Sequence, residues 1–182
     1  MSFQYHGTSL EYFDHIYNST RQNERTVELA VAQHWLPDGD GLEVGNVLGH
    51  YDITGHRVVD RDERAPGVEN LDVFDITGTF DWIVSISTLE HVGWDTPDQD
   101  PLLAIEALQH LRSLLRPNGQ MLVTVPGGYH PPLDRFLAHD VVARRAATFI
   151  RWGKGWRQTK TPTFKPYGAS TPWAESVWIG EW

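Results

Sequence analysis

The chain contains no cysteine among its 182 residues, so no disulfide, thiolate nucleophile or Cys-based zinc site can form, and several enzyme mechanisms are removed at once. No apolar stretch approaches the ~20 residues that a bilayer span requires. The N-terminal MSFQYHGTSLEYFDH has neither a basic n-region nor an apolar h-region. These absences predict a soluble, cytoplasmic protein. Acid is missing from one region only. Residues 141–174 contain no Asp or Glu, yet they hold Arg144, Arg145, Arg151, Lys154, Arg157, Lys160 and Lys165. The first 140 residues carry 8 basic and 22 acidic side chains, and the remainder carries 7 and 2. This basic stretch reads either as a patch for an acidic, phosphorylated or nucleotide-linked substrate, or as a sheet edge defended by charge.

At this length the chain is sized for one domain with one core. Hydrophobic residues make up a modest 40%, but eight Trp, seven Phe and six Tyr supply large burying surfaces. Leu10, Phe13, Ile16 and Tyr17, then Val27, Leu29, Ala30, Val31 and Trp35, predict helix from Ser9 to Leu36 with a break near Asn18–Asn23. Residues 1–38 would then form an N-terminal helical extension or lid, in which His6 and Tyr12 are candidates to face a cleft. The turn cluster Pro37-Asp38-Gly39-Asp40-Gly41 stops the helix. Beyond it, short apolar runs alternate with helical stretches, the mark of a parallel sheet with crossovers. Strands are expected at Leu42–Val44, Arg57–Asp60, Leu71–Phe74, Trp82–Ile86 and Met121–Val125. A helix over Pro101–Leu115 is stopped by Arg116-Pro117-Asn118-Gly119. The aromatic runs Thr148–Trp152 and Ser176–Trp182 predict a closing antiparallel hairpin, giving an α/β domain with a mostly parallel sheet of about seven strands.

Candidate site residues stand where these strands end. Gly45, after the first strand, lets the backbone bend toward a ligand at the carboxyl edge of the sheet, where open α/β folds bind cofactors. Glu43 puts a carboxylate beside that turn, which suits a ligand carrying an ammonium group better than a pyrophosphate. Gly45-Asn46-Val47 also breaks the dinucleotide pattern G-x-G-x-x-G at its second glycine. Asp60, after the second strand, can accept hydrogen bonds from both hydroxyls of a ribose. Asp75 can reach an adenine amino group while Ile76 packs on the ring. Ser85, Ser87 and Leu89-Glu90-His91-Val92 follow the fourth strand. Asp95, Asp98 and Asp100, flanked by Pro97 and Pro101, read as a loop and helix start, and no metal is expected.

In this order, the turn with Glu43, Gly45 and Gly49, the acid Asp60, the pair Asp75-Ile76, the segment Phe80–Ser85 with Leu89-Glu90-His91-Val92, and Leu115–Gln120 resemble a class I S-adenosylmethionine-dependent methyltransferase across residues 40–128. The runs Glu43–Tyr51 and Ser85–Trp94 are similar to a subgroup of small bacterial methyltransferases associated with sugar, polysaccharide or secondary-metabolite modification. The resemblance implies a Rossmann-like fold, S-adenosyl-L-methionine as cofactor and S-adenosyl-L-homocysteine as product. It implies that Glu43, Gly45, Asn46 and Gly49 hold the methionine end, Asp60 the ribose, and Asp75 with Ile76 the adenine, with Ser87 a further cofactor-binding residue. Val47 stands where that family commonly has a middle glycine. Residues 40–128 would be the cofactor-binding core, and 129–182 an acceptor-side loop and the closing hairpin.

Methyl transfer from a sulfonium is an in-line displacement that mainly requires collinear positioning in a dry cleft. A base is needed only when a hydroxyl must lose its proton. The expected acceptor is a small molecule, sugar-like or acidic, methylated at oxygen. His130 and His91 are the candidate bases, although His91 reads more readily as a histidine packed under the cofactor or hydrogen-bonded within its turn. A nucleic-acid methyltransferase and a cofactor-binding scaffold without turnover are the rivals. The first is opposed by net acidity and by Ser85-Ile86-Ser87-Thr88, which stands where amino-directed DNA enzymes carry Asn/Asp-Pro-Pro-aromatic. A homodimer is compatible with everything above, as is the absence of any membrane partner.

Overall fold

The structure, a computed structural model, describes residues 1–139 and 142–182. The chain begins with a small hairpin, β1 (Ser2–Tyr5) and β2 (Thr8–Glu11), and not with the helix expected from Ser9. His6 and Gly7 both have positive φ, the two-residue turn whose twist matches antiparallel strands. Phe3, Tyr5 and Leu10 then bury on one face and meet Phe149. The apparent helical spacing here was coincidental: Ile16, one of its anchors, is 95% exposed. A 3-10 turn at Tyr17–Gln22, with Asn18 and Ser19 at positive φ, precedes the true helix α1 (Arg25–Trp35).

The main sheet contains β3 (Gly41–Val44), β4 (Arg57–Val59), β5 (Val68–Glu69), β6 (Phe80–Ile86), β7 (Leu115–Pro126), β8 (Arg145–Trp152), β9 (Gly155–Gln158) and β10 (Ser176–Glu181). Their spatial order is β5-β4-β3-β6-β7-β10-β8-β9. The first five are mutually parallel, and β10 inserts antiparallel between β7 and β8. This is a Rossmann-like, mostly parallel arrangement with the expected C-terminal antiparallel hairpin. The eighth strand, β9, extends the edge beyond the seven expected. The third strand lies earlier than predicted, at Val68–Glu69, because Leu71–Phe74 leaves the sheet and Val73–Asp75 turns into a 3-10 helix capped by Asp72, whose side chain accepts from the Phe74 N–H.

Side chains alternate across the sheet, so neighbouring residues of β6 feed opposite cores. Ile83 joins Leu42, Met121 and Val123 under Ala104, Ala107, Leu108 and Leu111 of helix α2 (Leu103–Ser113). Trp82, Val84 and Ile86 join Leu122, Val177 and Ile179 under Val27, Leu29 and Val31 of α1. A fully buried leucine contributes about 1.5–3 kcal/mol, so these two seams clamp the sheet. A short helix, α3 (Pro131–Leu137), occupies part of what the sequence presented as a loop. Among the described residues, no helix is long and apolar enough to cross a membrane.

Candidate functional site

The strand order reverses between β3 and β6, and open α/β sheets bind ligands at such a switch point, beyond the carboxyl ends of the strands. Here the Ser85 hydroxyl donates to the Val44 carbonyl at 3.0 Å and ties the two strand ends together. A cleft of about 580 Å³ opens beyond them, within the range of small-molecule sites. Its walls include Gly45, Asn46 and Val47 after β3, Asp60 to Glu63 after β4, Leu71 to Val73 after β5, and Ser87, Thr88, His91, Val92 and Asp95 after β6.

Gly45 has φ +90°, and a Cβ on it would lie 2.0 Å from Thr88 Oγ1. The glycine is thus required by a neighbouring side chain as well as by the turn. Glu43 does not face the cleft. Its Oε1 accepts from the N–H groups of Val47 and Leu48 at 2.8 and 2.7 Å, and its Oε2 lies 2.8 Å from His56 Nε2. The buried carboxylate holds the turn from behind, an arrangement invisible in sequence because His56 lies on another loop. Val47 needs no glycine, since its φ is −109°. Gly49 is absent from the lining; a Cβ on it would meet Asn46 Oδ1 of the same loop at 3.0 Å.

Asp60 lines the cleft but is already engaged. Oδ2 accepts from Asn46 N–H at 3.1 Å, and Oδ1 from Asp62 and Glu63 N–H at 2.9 and 2.8 Å. Burial opposes its charge, but these three donors outweigh that and hold its pKa below the ordinary value. A carboxylate offers about four lone-pair sites, so one remains for a ligand. Asn46 Nδ2 donates to Glu63 at 2.6 Å, locking the two loops together. Asp75 and Ile76, expected at the adenine, are outside the lining: Asp75 is exposed and Ile76 is buried in the core. The cleft instead presents Asp72 and Val73, an acid-apolar pair three residues earlier. Asp72-Val73 and Asp75-Ile76 have the same character in sequence, and only the early end of β5 decides which pair lines the cleft.

Ser87 stands at φ +43°, an uncommon conformation for a residue with a side chain. It is held by its N–H donating to the Thr124 carbonyl at 3.0 Å and its hydroxyl donating to Glu28 at 2.6 Å. His130 is fully buried, neither ring nitrogen has a hydrogen-bond partner, and it stacks on Trp94 at 4.3 Å. Burial lowers its pKa, and it is not part of the cleft lining, so its expected place as the acceptor-side base does not fit. His91 does line the cleft, with its side chain 47% exposed and Nδ1 2.6 Å from Asp95 Oδ2. The Tyr129 hydroxyl donates to the same carboxylate at 2.8 Å. Burial and the nearby Asp95 charge push that phenol up to about 12. Asp95 was legible in sequence only as loop; its i, i+4 spacing from His91 was the signal.

The basic stretch lies elsewhere. Arg151 covers the ring of Trp156, Arg157 that of Trp152, and Arg145 and Lys165 approach Glu181 and Glu175. None of them lines the cleft. Residues 1–38 do not line it either: the hairpin lies by β8 and β9, where the Tyr12 hydroxyl accepts from Trp156 N–H.

No protein-family model matches the chain, and no curated protein sequence matches it. Among solved structures, it is similar to a SAM-dependent methyltransferase from Thermotoga maritima at 13% identity, over 85% of this chain and 86% of that one, with a TM-score of 0.48. It is also similar to the N-methyltransferase NodS from Bradyrhizobium japonicum in complex with S-adenosyl-L-homocysteine, at 16% identity over 86% and 83%, with a TM-score of 0.48. A further likeness is to a methyltransferase from Clostridium acetobutylicum at 11% identity over 91% and 92%, with a TM-score of 0.42.

Proposed function

We propose that the chain is an S-adenosylmethionine-dependent methyltransferase of the cytoplasm that acts on a hydroxyl of a small-molecule acceptor. The observation that carries this reading is the cleft at the β3/β6 switch point, which is lined from four strand ends by groups suited to an adenosyl ligand. Asp72 supplies an acceptor for an exocyclic amine, while Leu71, Val73 and Val92 give apolar faces to a base. Asp60 keeps one lone-pair position for a ribose hydroxyl. The backbone around Gly45 and Asn46 borders the remaining end beside Ser87 and Thr88. The cofactor would supply a sulfonium methyl already activated for displacement. His91, oriented by Asp95, is the group on this wall able to take a hydroxyl proton.

Calorimetry with S-adenosylhomocysteine tests the reading. Binding should be measurable in the wild type, weakened about tenfold or more in Asp72→Ala, and unchanged in Asp75→Ala. No binding to the wild type refutes the proposal, and the reverse ranking of the two variants refutes the adenine assignment.

A further inference from the structure

A carboxylate carried by α1 is bonded directly to the cleft wall, although α1 itself does not line the cleft. Glu28 is fully buried in the first turn of that helix. Its Oε2 lies 2.9 Å from Arg25 Nη1, and its Oε1 accepts the hydroxyl of Ser87 at 2.6 Å and that of Thr124 at 2.7 Å. Packing α1 on the sheet needs no such group. Val27, Leu29 and Val31 do that, and a buried ion pair is a poor stabiliser beside an apolar side chain of similar size. What the carboxylate provides is direction, because it fixes one cleft residue, Ser87, by two routes.

The first route is the Ser87 hydroxyl itself. The second passes through Thr124, which faces Ile86 across the β6–β7 pair. Its hydroxyl donates to Glu28 and thereby turns a lone pair toward the Ser87 N–H, 3.2 Å away, while its carbonyl accepts from the same N–H at 3.0 Å. Ser87 is thus held by backbone and side chain together at φ +43°, a conformation that residues with a side chain seldom adopt. Such backbone persists where its surroundings over-determine it. The turn returns Thr88 to φ −134° and sets its side chain against Gly45, where a Cβ added to the glycine would lie 2.0 Å from Thr88 Oγ1. Ser87, Thr88 and Gly45 all line the cleft.

We propose that Glu28 is a positioning residue for the amino-acid end of the cofactor. It touches no ligand. It holds Ser87 in its left-handed turn and, through Ser87, places Thr88 against the Gly45 turn, which completes the wall that the amino-acid end meets. The inference rests on the methyl-transfer reading of the cleft. In that reading Asp60 and Asp72 face the ribose and the adenine from other strand ends, and their hydrogen bonds go to Asn46, Asp62 and Glu63 and to Phe74. A ligand that keeps adenine and ribose but lacks the amino-acid portion should therefore be indifferent to Glu28.

The test is calorimetry on the full chain with S-adenosylhomocysteine and with methylthioadenosine, which lacks the amino-acid portion. Glu28→Leu should weaken S-adenosylhomocysteine binding by about tenfold or more and leave methylthioadenosine within about twofold. Glu28→Gln, which retains an oxygen acceptor, should keep most of the affinity that Glu28→Leu loses. Adding Ser87→Gly to Glu28→Leu should recover most of it, because glycine holds φ +43° without a tether. Equal loss for both ligands, an unaffected S-adenosylhomocysteine affinity, or no recovery in either rescue variant overturns the inference, as does a wild type that binds the two ligands equally. Should Glu28→Leu fail to fold, Ser87→Ala removes the same hydroxyl and leaves the Arg25 pair in place; no loss there, or equal loss for both ligands, overturns the inference instead. Failure of the wild type to bind either ligand overturns the methyl-transfer reading along with it.

Discussion

Gly45→Ala tests the turn on which the cleft is built. Two independent penalties meet at this position. The backbone there has φ +90°, and a left-handed conformation costs a residue with a side chain roughly 1–2 kcal/mol. The added methyl would also lie 2.0 Å from Thr88 Oγ1 and 2.8 Å from its Cγ2, and overpacking of this kind costs about 1–3 kcal/mol more. The expected destabilisation is about 2–5 kcal/mol, read as a lower urea midpoint at unchanged slope. Thr88→Ala removes both of those atoms and leaves only its Cβ, 2.9 Å away, so the double variant should regain part of the steric share and none of the backbone share. A coupling of about 1 kcal/mol, above the roughly 0.3–0.5 kcal/mol scatter of independent sites, is the predicted signature. A Gly45→Ala cost below about 1 kcal/mol, or strict additivity with Thr88→Ala, refutes the reasoning.

His91→Ala should lower the turnover of a hydroxyl acceptor by roughly 10²–10⁴ while S-adenosylhomocysteine affinity stays within a few-fold; unchanged turnover removes His91 as the base. Glu24, raised by burial from 4.5 to about 7, takes up a proton on folding. Its contribution is fully present below pH 4.5 and is lost as the pH rises through 7. Asp134, raised to about 6 by burial, acts in the same sense, whereas Asp60, held low, loses its contribution as the pH falls. The urea midpoint of the wild type should therefore decline from pH 5 to pH 8, and Glu24→Gln should flatten that decline by on the order of 2 kcal/mol; parallel profiles for the two proteins contradict it.

The most legible strands are those buried on both faces. β6 and the apolar half of β7 read as continuous apolar runs because nothing else in the chain has to be known to place them. The same holds for α2, whose Leu108 and Leu111 sit on one stripe. The N-terminal hairpin was missed because a few apolar residues over a short window fit a helix as well as a strand. What decided between them was the positive-φ turn at His6-Gly7 and the waiting face of Phe149, distant in sequence. Likewise the position of β5 was set by pairing with β4, which shifted the cleft-lining acid from Asp75 to Asp72.

By itself the sequence determined the parallel order of apolar runs, the Gly45 turn and the presence of acids after successive strands, since these follow from local periodicity and backbone chemistry. Only the tertiary structure decided that Glu43 faces His56 and the backbone of its own turn, that His91 and not His130 reaches the cleft, and that Glu28 pairs with Arg25 while receiving the hydroxyls of Ser87 and Thr124. Each of those outcomes depends on which atoms long-range packing brings within a few ångströms, and on how much water it leaves around a charge, neither of which is encoded in the spacing of residues along the chain.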